Sequence, residues 1–196
     1  PTVRWLLLAV AAVAALLVLV VAVGAMLPRR HVAARAVVVP APPERVWALL
    51  TDVAGYPRWR PDVRAVEPLP SHDGGVAWRE DSRHGRITYA IAEAVPARSL
   101  TTAITDPDLP FGGTWRFTLA AEGSGTRVVV TEFGEVRNPL FRFLSRFVFG
   151  HTATLDGYLR ALARAVGSDA EPAAAEPHAA SHAGDDRGPR AVPRGA

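Results

Sequence analysis

The 196-residue chain has no cysteine and no lysine. Without cysteine it can hold no disulfide framework, no thiol nucleophile and no thiolate metal site. Its 22 basic residues are therefore all arginine, a bias that points to a GC-rich coding sequence and carries no functional meaning. Another absence is local. From Trp5 to Leu27 no residue is charged, amidic or hydroxylic. As a helix rising ~1.5 Å per residue, that run would extend roughly 35 Å, enough to cross a hydrocarbon core of ~30 Å.

Three readings compete for residues 5–27. A cleaved secretory signal carries an apolar stretch of ~7–15 residues and then a small-residue cleavage site. This run is longer, and Val23-Gly24-Ala25 makes a poor site. A buried core helix would be shorter or amphipathic, whereas this one is apolar all round. The reading adopted is a single-pass anchor in the cell membrane. No ionisable group interrupts it, so it offers no proton or ion path and serves as a tether. Arg29, Arg30 and Arg35 on its C-terminal side outnumber Arg4, which places the rest of the chain in the cytoplasm.

The chain divides into an anchor with its basic flank (1–31), a globular domain (32–167) and a tail (168–196). The tail holds Ala, Pro, Gly, Asp and His but only one branched residue and no aromatic. Such a composition cannot offset the entropy of ordering, so the tail is expected to be disordered. Charge is uneven. Residues 1–35 carry four arginines and no acid; the tail carries three arginines and five acids. Residues 36–167, with 15 arginines and 14 acids, are nearly neutral. A nucleic-acid footprint needs a clustered basic face, so that partner class is excluded. The positive cluster sits beside the anchor, where anionic headgroups would attract it.

Within the domain, residues 31–39 read as a strand stopped by Pro40-Ala41-Pro42-Pro43. Proline suits a first helical turn, so Pro43-Glu44 opens a short helix to about Leu50, burying Val46, Trp47 and Leu50. A turn or second short helix covers 52–59. Six strands follow at 63–68, 76–81, 86–94, 99–105, 114–121 and 126–136, separated by short polar turns. That spacing predicts an antiparallel meander. Alternation puts Ile87, Tyr89 and Ile91 on one face, and Trp115, Phe117 and Leu119 likewise. One-sided burial calls for a packing partner. The last element supplies it: Asn138-Pro139 caps a helix predicted to run from Leu140 to Val166, bending at Gly150 and stopping at Gly167.

Strand, short helix pair, six antiparallel strands and a long helix resemble the START-like or SRPBCC superfamily, in its polyketide cyclase/dehydrase and lipid-transport branch. The residues that carry the resemblance are Ala41-Pro42-Pro43-Glu44-Arg45-Val46-Trp47-Ala48-Leu49-Leu50-Thr51-Asp52 and Tyr56-Pro57-Arg58-Trp59. Gly112-Gly113-Thr114-Trp115 and Gly125-Thr126-Arg127-Val128 add to it. The resemblance implies an α+β helix-grip fold, with a seven-stranded antiparallel sheet curved around a long C-terminal helix over a deep cavity. Members bind lipids, sterols, polyketides, quinones or hormones, and only some are enzymes.

If Trp115, Phe117 and Leu119 face inward, hairpin pairing brings Val128, Val130 and Glu132 to the same face; Val129, Thr131 and Phe133 are the alternative set, which a bulge would select. Alternation likewise groups Val76, Trp78 and Glu80. Glu80 and Glu132 are thus the candidate catalytic carboxylates, whose pKa burial would raise; pairing with an arginine is the blander reading of each. The candidate ligand-binding residues are Trp59, Trp78, Tyr89, Phe111, Trp115 and Glu132. Trp59 is placed at the cavity mouth or capping the core. Phe111 with Gly112-Gly113 forms a mobile lip or a simple tight turn. The histidines are scattered, and His178 and His182 lie in the tail, so no metal site and no cofactor is implied. The excess of phenylalanine over 140–149 calls for a second apolar contact: the cavity entrance, the membrane interface or neighbouring loops.

The leading functional expectation is a membrane-tethered protein that binds a hydrophobic or amphipathic small molecule, such as a lipid, isoprenoid or polyketide-like compound. Tethering raises the effective concentration of such ligands. The alternatives are a cyclase/dehydrase-type enzyme using a cavity carboxylate, and a protein-interaction module in cell-envelope upkeep. The interaction module would have a filled, closed core.

Overall fold

The computed structural model describes residues 2–70, 75–149 and 152–177. The expected turn at His72, the bend at Gly150 and the histidine pair His178/His182 lie outside the described residues.

The first helix, α1, covers Thr2–Met26. It is long and apolar enough to cross a membrane, and its most apolar 18-residue stretch is not buried against the rest of the chain; only its C-terminal end, at Gly24, meets another element. Strand β1 (Arg30–Val39) follows after a short turn. Then come α2 (Pro43–Thr51), a 3-10 turn (Val53–Gly55) and α3 (Tyr56–Trp59). Asp52 caps that turn by accepting from the Gly55 amide at 3.1 Å. The meander runs β2 (Val63–Leu69), β3 (Ala77–Ser82), β4 (Gly85–Val95), β5 (Ser99–Ile104), β6 (Phe111–Glu122) and β7 (Gly125–Val136).

All neighbouring strands are antiparallel, in the order β2-β3-β4-β5-β6-β7-β1, and β1 closes the sheet against β7. Register between β6 and β7 pairs Trp115 with Glu132, Phe117 with Val130 and Leu119 with Val128. The inward set is therefore the first of the two sequence alternatives. Trp78 pairs with Tyr89 across β3 and β4.

The grip helix, α5 (Ala153–Ala165), lays Leu155, Tyr158, Leu159 and Leu162 on this face. Their spacing of three and four residues forms one helical stripe. Leu155, Leu159 and Leu162 are wholly buried with Val46, Leu50, Val128 and Val130.

Two expectations are corrected. Among the described residues the sheet has eight strands, not seven, because Ala173–Ala174 forms a short outermost strand, β8, along β1. The first residues of the tail are thus ordered. Arg35 binds the Pro172 carbonyl at 3.0 Å and Arg160 binds Glu171 at 2.7 Å, while Ala170 packs on the core. Composition gave no sign of these contacts because they come from side chains in β1 and α5. They also cover the edge that β1 would otherwise expose.

The C-terminal helix is likewise not one rod. It begins as α4 (Pro139–Leu144), continues as a π turn (Ser145–Phe149), and α5 starts afresh at Ala153. Asn138 starts α4 by accepting from the Leu140 amide at 2.9 Å, and the Ser145 hydroxyl donates back to the Arg142 carbonyl at 3.1 Å. The two halves have different partners. α4 packs against α1, whereas α5 packs across the sheet; one straight helix does not reach both.

Candidate functional site: a cavity under the sheet

A cavity of about 280 Å³ lies between the concave sheet and the helices, near the lower end of the ~300–1,000 Å³ usual for small-molecule sites. Its apolar wall is aromatic. β3 and β4 contribute Trp78 and Tyr89, stacked with ring centroids 5.7 Å apart. β6 contributes Phe111, Trp115 and Phe117, and α5 contributes Tyr158, whose ring meets Trp115 edge-on at 5.6 Å.

A polar cluster sits in the same wall. Arg60, from the end of α3, donates to Glu80 at 3.0 Å and to Asp62 at 2.9 Å. Its guanidinium carbon lies 5.0 Å from the Tyr56 ring and 4.9 Å from the Tyr158 ring, within cation–π range. Trp78 Nε1 also donates to Glu80, at 3.0 Å. Glu80 is therefore a paired anion and not a free acid, as the blander sequence reading had it. Burial acts to raise the Asp62 carboxyl, but the hydrogen bond and charge of Arg60 outweigh it and hold that pKa below the ordinary value. Burial pushes the Tyr56, Tyr89 and Tyr158 hydroxyls well above theirs, so all three stay neutral.

Glu132 also lines the cavity, which holds the carboxylates of Asp62, Glu80 and Glu135 besides. Glu132 faces His31 of β1, Oε1 to Nε2 3.5 Å, and both residues line the cavity. His31 pairs in register with Gly134, and its imidazole lies where a Cβ at Gly134 would be. The missing side chain thus lets the ring lie over β7 toward Glu132. Sequence reading looked for an arginine here and passed over His31, because a lone histidine at a strand start carries no motif. Arg60 and Tyr158 were missed for a similar reason: each acquires its role only through partners distant in the chain.

The other candidates divide. Trp78, Tyr89, Phe111 and Trp115 all line the cavity. Trp59 does not. Its ring packs edge-on between Tyr56 at 5.6 Å and Tyr158 at 5.4 Å, so it caps the core instead of the mouth; the helical turn of α3 directs it inward beside Tyr56. Phe111 and Gly112-Gly113 form no separate lip. They are the first residues of β6, paired with Val136, Glu135 and Gly134.

A sheet gripping a terminal helix over an aromatic cavity defines a START-like domain. The sequence matches over residues 30–167 the family described as polyketide cyclase / dehydrase and lipid transport, and the chain belongs to that family. Among solved structures it resembles a START superfamily protein from Mycobacterium smegmatis, with 23% identity and a TM-score of 0.56, covering 69% of this chain and 97% of that one. It also resembles the Zhui aromatase/cyclase from Streptomyces sp. R1128, with 18% identity and a TM-score of 0.56, covering 70% and 93%. A Thermobifida fusca protein solved in solution shares 24% identity at a TM-score of 0.55, covering 69% and 93%. These likenesses establish the fold. No curated protein matches the sequence.

Proposed function

We propose that this protein is a membrane-tethered receptor for a hydrophobic or amphipathic small molecule, held in the cavity between the sheet and α5. The observation that carries this reading is the cavity itself, which joins an aromatic wall to a polar cluster as a site for an amphipathic molecule would. A module serving only protein interaction would close that space. The tether is α1, whose length and apolar surface suit a bilayer, and the excess of arginine after it favours a cytoplasmic domain. Trp78, Tyr89, Phe111 and Trp115 would contact the apolar body of the ligand, and Glu132 its polar end.

One observation favours a second, catalytic reading. His31 and Glu132 face each other inside the cavity, an arrangement able to hold or move a proton in a dehydration or cyclisation. Glu80 is the weaker acid/base candidate, because Arg60 and Trp78 already occupy it.

Photolabelling of native membranes with a diazirine-bearing fatty acid tests the receptor reading. The expected adducts fall on peptides containing Trp78, Trp115 and Glu132, and Ile104→Trp, which fills the cavity, removes them. Labelling confined to α1 would overturn it.

A further inference from the structure

The structure ties the end of α1 to the rim of the cavity. α4 packs on the last turn of α1, at a point where Gly24 is buried and any side chain would collide with the Pro139 carbonyl. Arg142 is buried to 6% exposure. It closes the contact by donating to the Leu27 carbonyl at 2.8 Å and to the Ala25 carbonyl at 3.3 Å. Those carbonyls belong to the helix end, where four lack intrahelical donors, so the guanidinium caps the helix.

From the same short segment, Phe141 and Ser145 line the cavity. Phe141 is 42% exposed and Phe147 is 59% exposed, and Phe147 packs on Phe143 with ring centroids 4.9 Å apart. Arg146 beside them is exposed. One piece of chain thus clasps α1, lines the cavity and presents exposed aromatic rings.

Depth follows from this contact. α4 seats on Gly24, inside the apolar run and before Arg29 and Arg30, which stand where headgroups would be. Gly24 lies two residues before the helix ends at Met26 and five to six before these arginines, a depth on the order of 7–9 Å at the helical rise of ~1.5 Å per residue. That matches the ~5–10 Å to which interfacial amphipathic segments bury their apolar face.

We infer that α4 and the π turn after it form a lip embedded in the phospholipid leaflet beside α1, with Phe141 and Phe147 among acyl chains and Arg146 at headgroups. This inference rests on α1 being a membrane span. The cavity then opens onto the leaflet and not onto bulk water, and its ligand class is a leaflet-resident amphiphile.

The absence of native cysteine allows a clean test on the full chain. Single variants Val13→Cys, Phe147→Cys and Ser124→Cys are spin-labelled and reconstituted in phosphatidylcholine/phosphatidylglycerol liposomes. Each label's accessibility to oxygen and to a water-soluble nickel chelate is then measured. Ser124 is in the turn at the far end of β6 and β7, roughly 40 Å along the strands. The expected result is chelate protection at Val13 and Phe147 and free access at Ser124. Chelate access at Phe147 equal to that at Ser124, with Val13 protected, overturns the lip while the anchor stands. Access at Val13 overturns both. Adding Arg142→Ala should raise chelate access at Phe147 several-fold and leave Val13 unchanged. Gly24→Leu offers a second route to the same separation. No change at Phe147 in either background would overturn the clasp.

Discussion

Arg60 and Glu80 form a buried ion pair in the cavity wall, 3.0 Å apart, with side chains 11% and 4% exposed. Coulomb attraction alone does not offset the loss of hydration on both sides. The surroundings supply the rest: Asp62 takes a second guanidinium nitrogen, Tyr56 and Tyr158 flank its faces, and Trp78 donates to the carboxylate. The cluster joins α3, β3 and α5, so it fixes the polar end of the cavity.

Removing one partner leaves a buried charge incompletely matched, at a cost of about 3–5 kcal/mol in comparable pairs. Glu80→Gln keeps an acceptor for Trp78 but removes the anion. Thermal denaturation of the reconstituted protein should show clear destabilisation at neutral pH. An unchanged or higher midpoint would show that Glu80 gains nothing from its charge.

Asp62 adds a pH dependence with a defined sign. Its folded-state pKa lies below the unfolded value of 3.8. The unfolded chain therefore binds more protons between the two values, and stability rises with pH there. The contribution is present above pH 3.8 and fades as pH falls through the lower folded value. Asp62→Asn should therefore destabilise the domain at pH 7, and the difference from wild type should shrink on acidification. A difference independent of pH would contradict the Arg60 pairing.

Two facing glycines in β6 and β7 should respond differently to substitution. Gly113 has φ of +140° and no room for a Cβ against the Phe133 carbonyl. Gly113→Ala forces both backbone strain and a backbone shift, a cost on the order of 1–3 kcal/mol from the strain alone. At Gly134 the obstacle is the His31 imidazole, which can swing away. Gly134→Ala should therefore be tolerated better, while moving the His31 ring signals in NMR spectra. Equal destabilisation by both would contradict this placement of His31.

The fold was legible because its signals are local. Alternation in Trp115, Phe117 and Leu119, the polar turn before Gly125, and Asn138-Pro139 each fix an element within a few residues. Hairpin pairing narrowed the inward set to two alternatives, and the unbroken register of β6 and β7 decides between them. Distant pairings were not legible. His31 meets Glu132, Arg60 meets Glu80, and Arg142 reaches the carbonyl of Leu27, across about a hundred residues in the first and last cases. The split of the terminal helix was hidden too, because an apolar run reads the same whether it packs on a sheet or on another helix. Pro172 looked like part of a featureless tail until Arg35 supplied its partner.

The most direct test of a ligand-binding cavity is native mass spectrometry of the full-length protein extracted from its own membranes. The account predicts a discrete organic adduct at one copy per chain, retained in the wild type, depleted in Trp115→Ala and lost in Ile104→Trp. A wild-type protein carrying no such adduct, or one bound equally by Ile104→Trp, would contradict it.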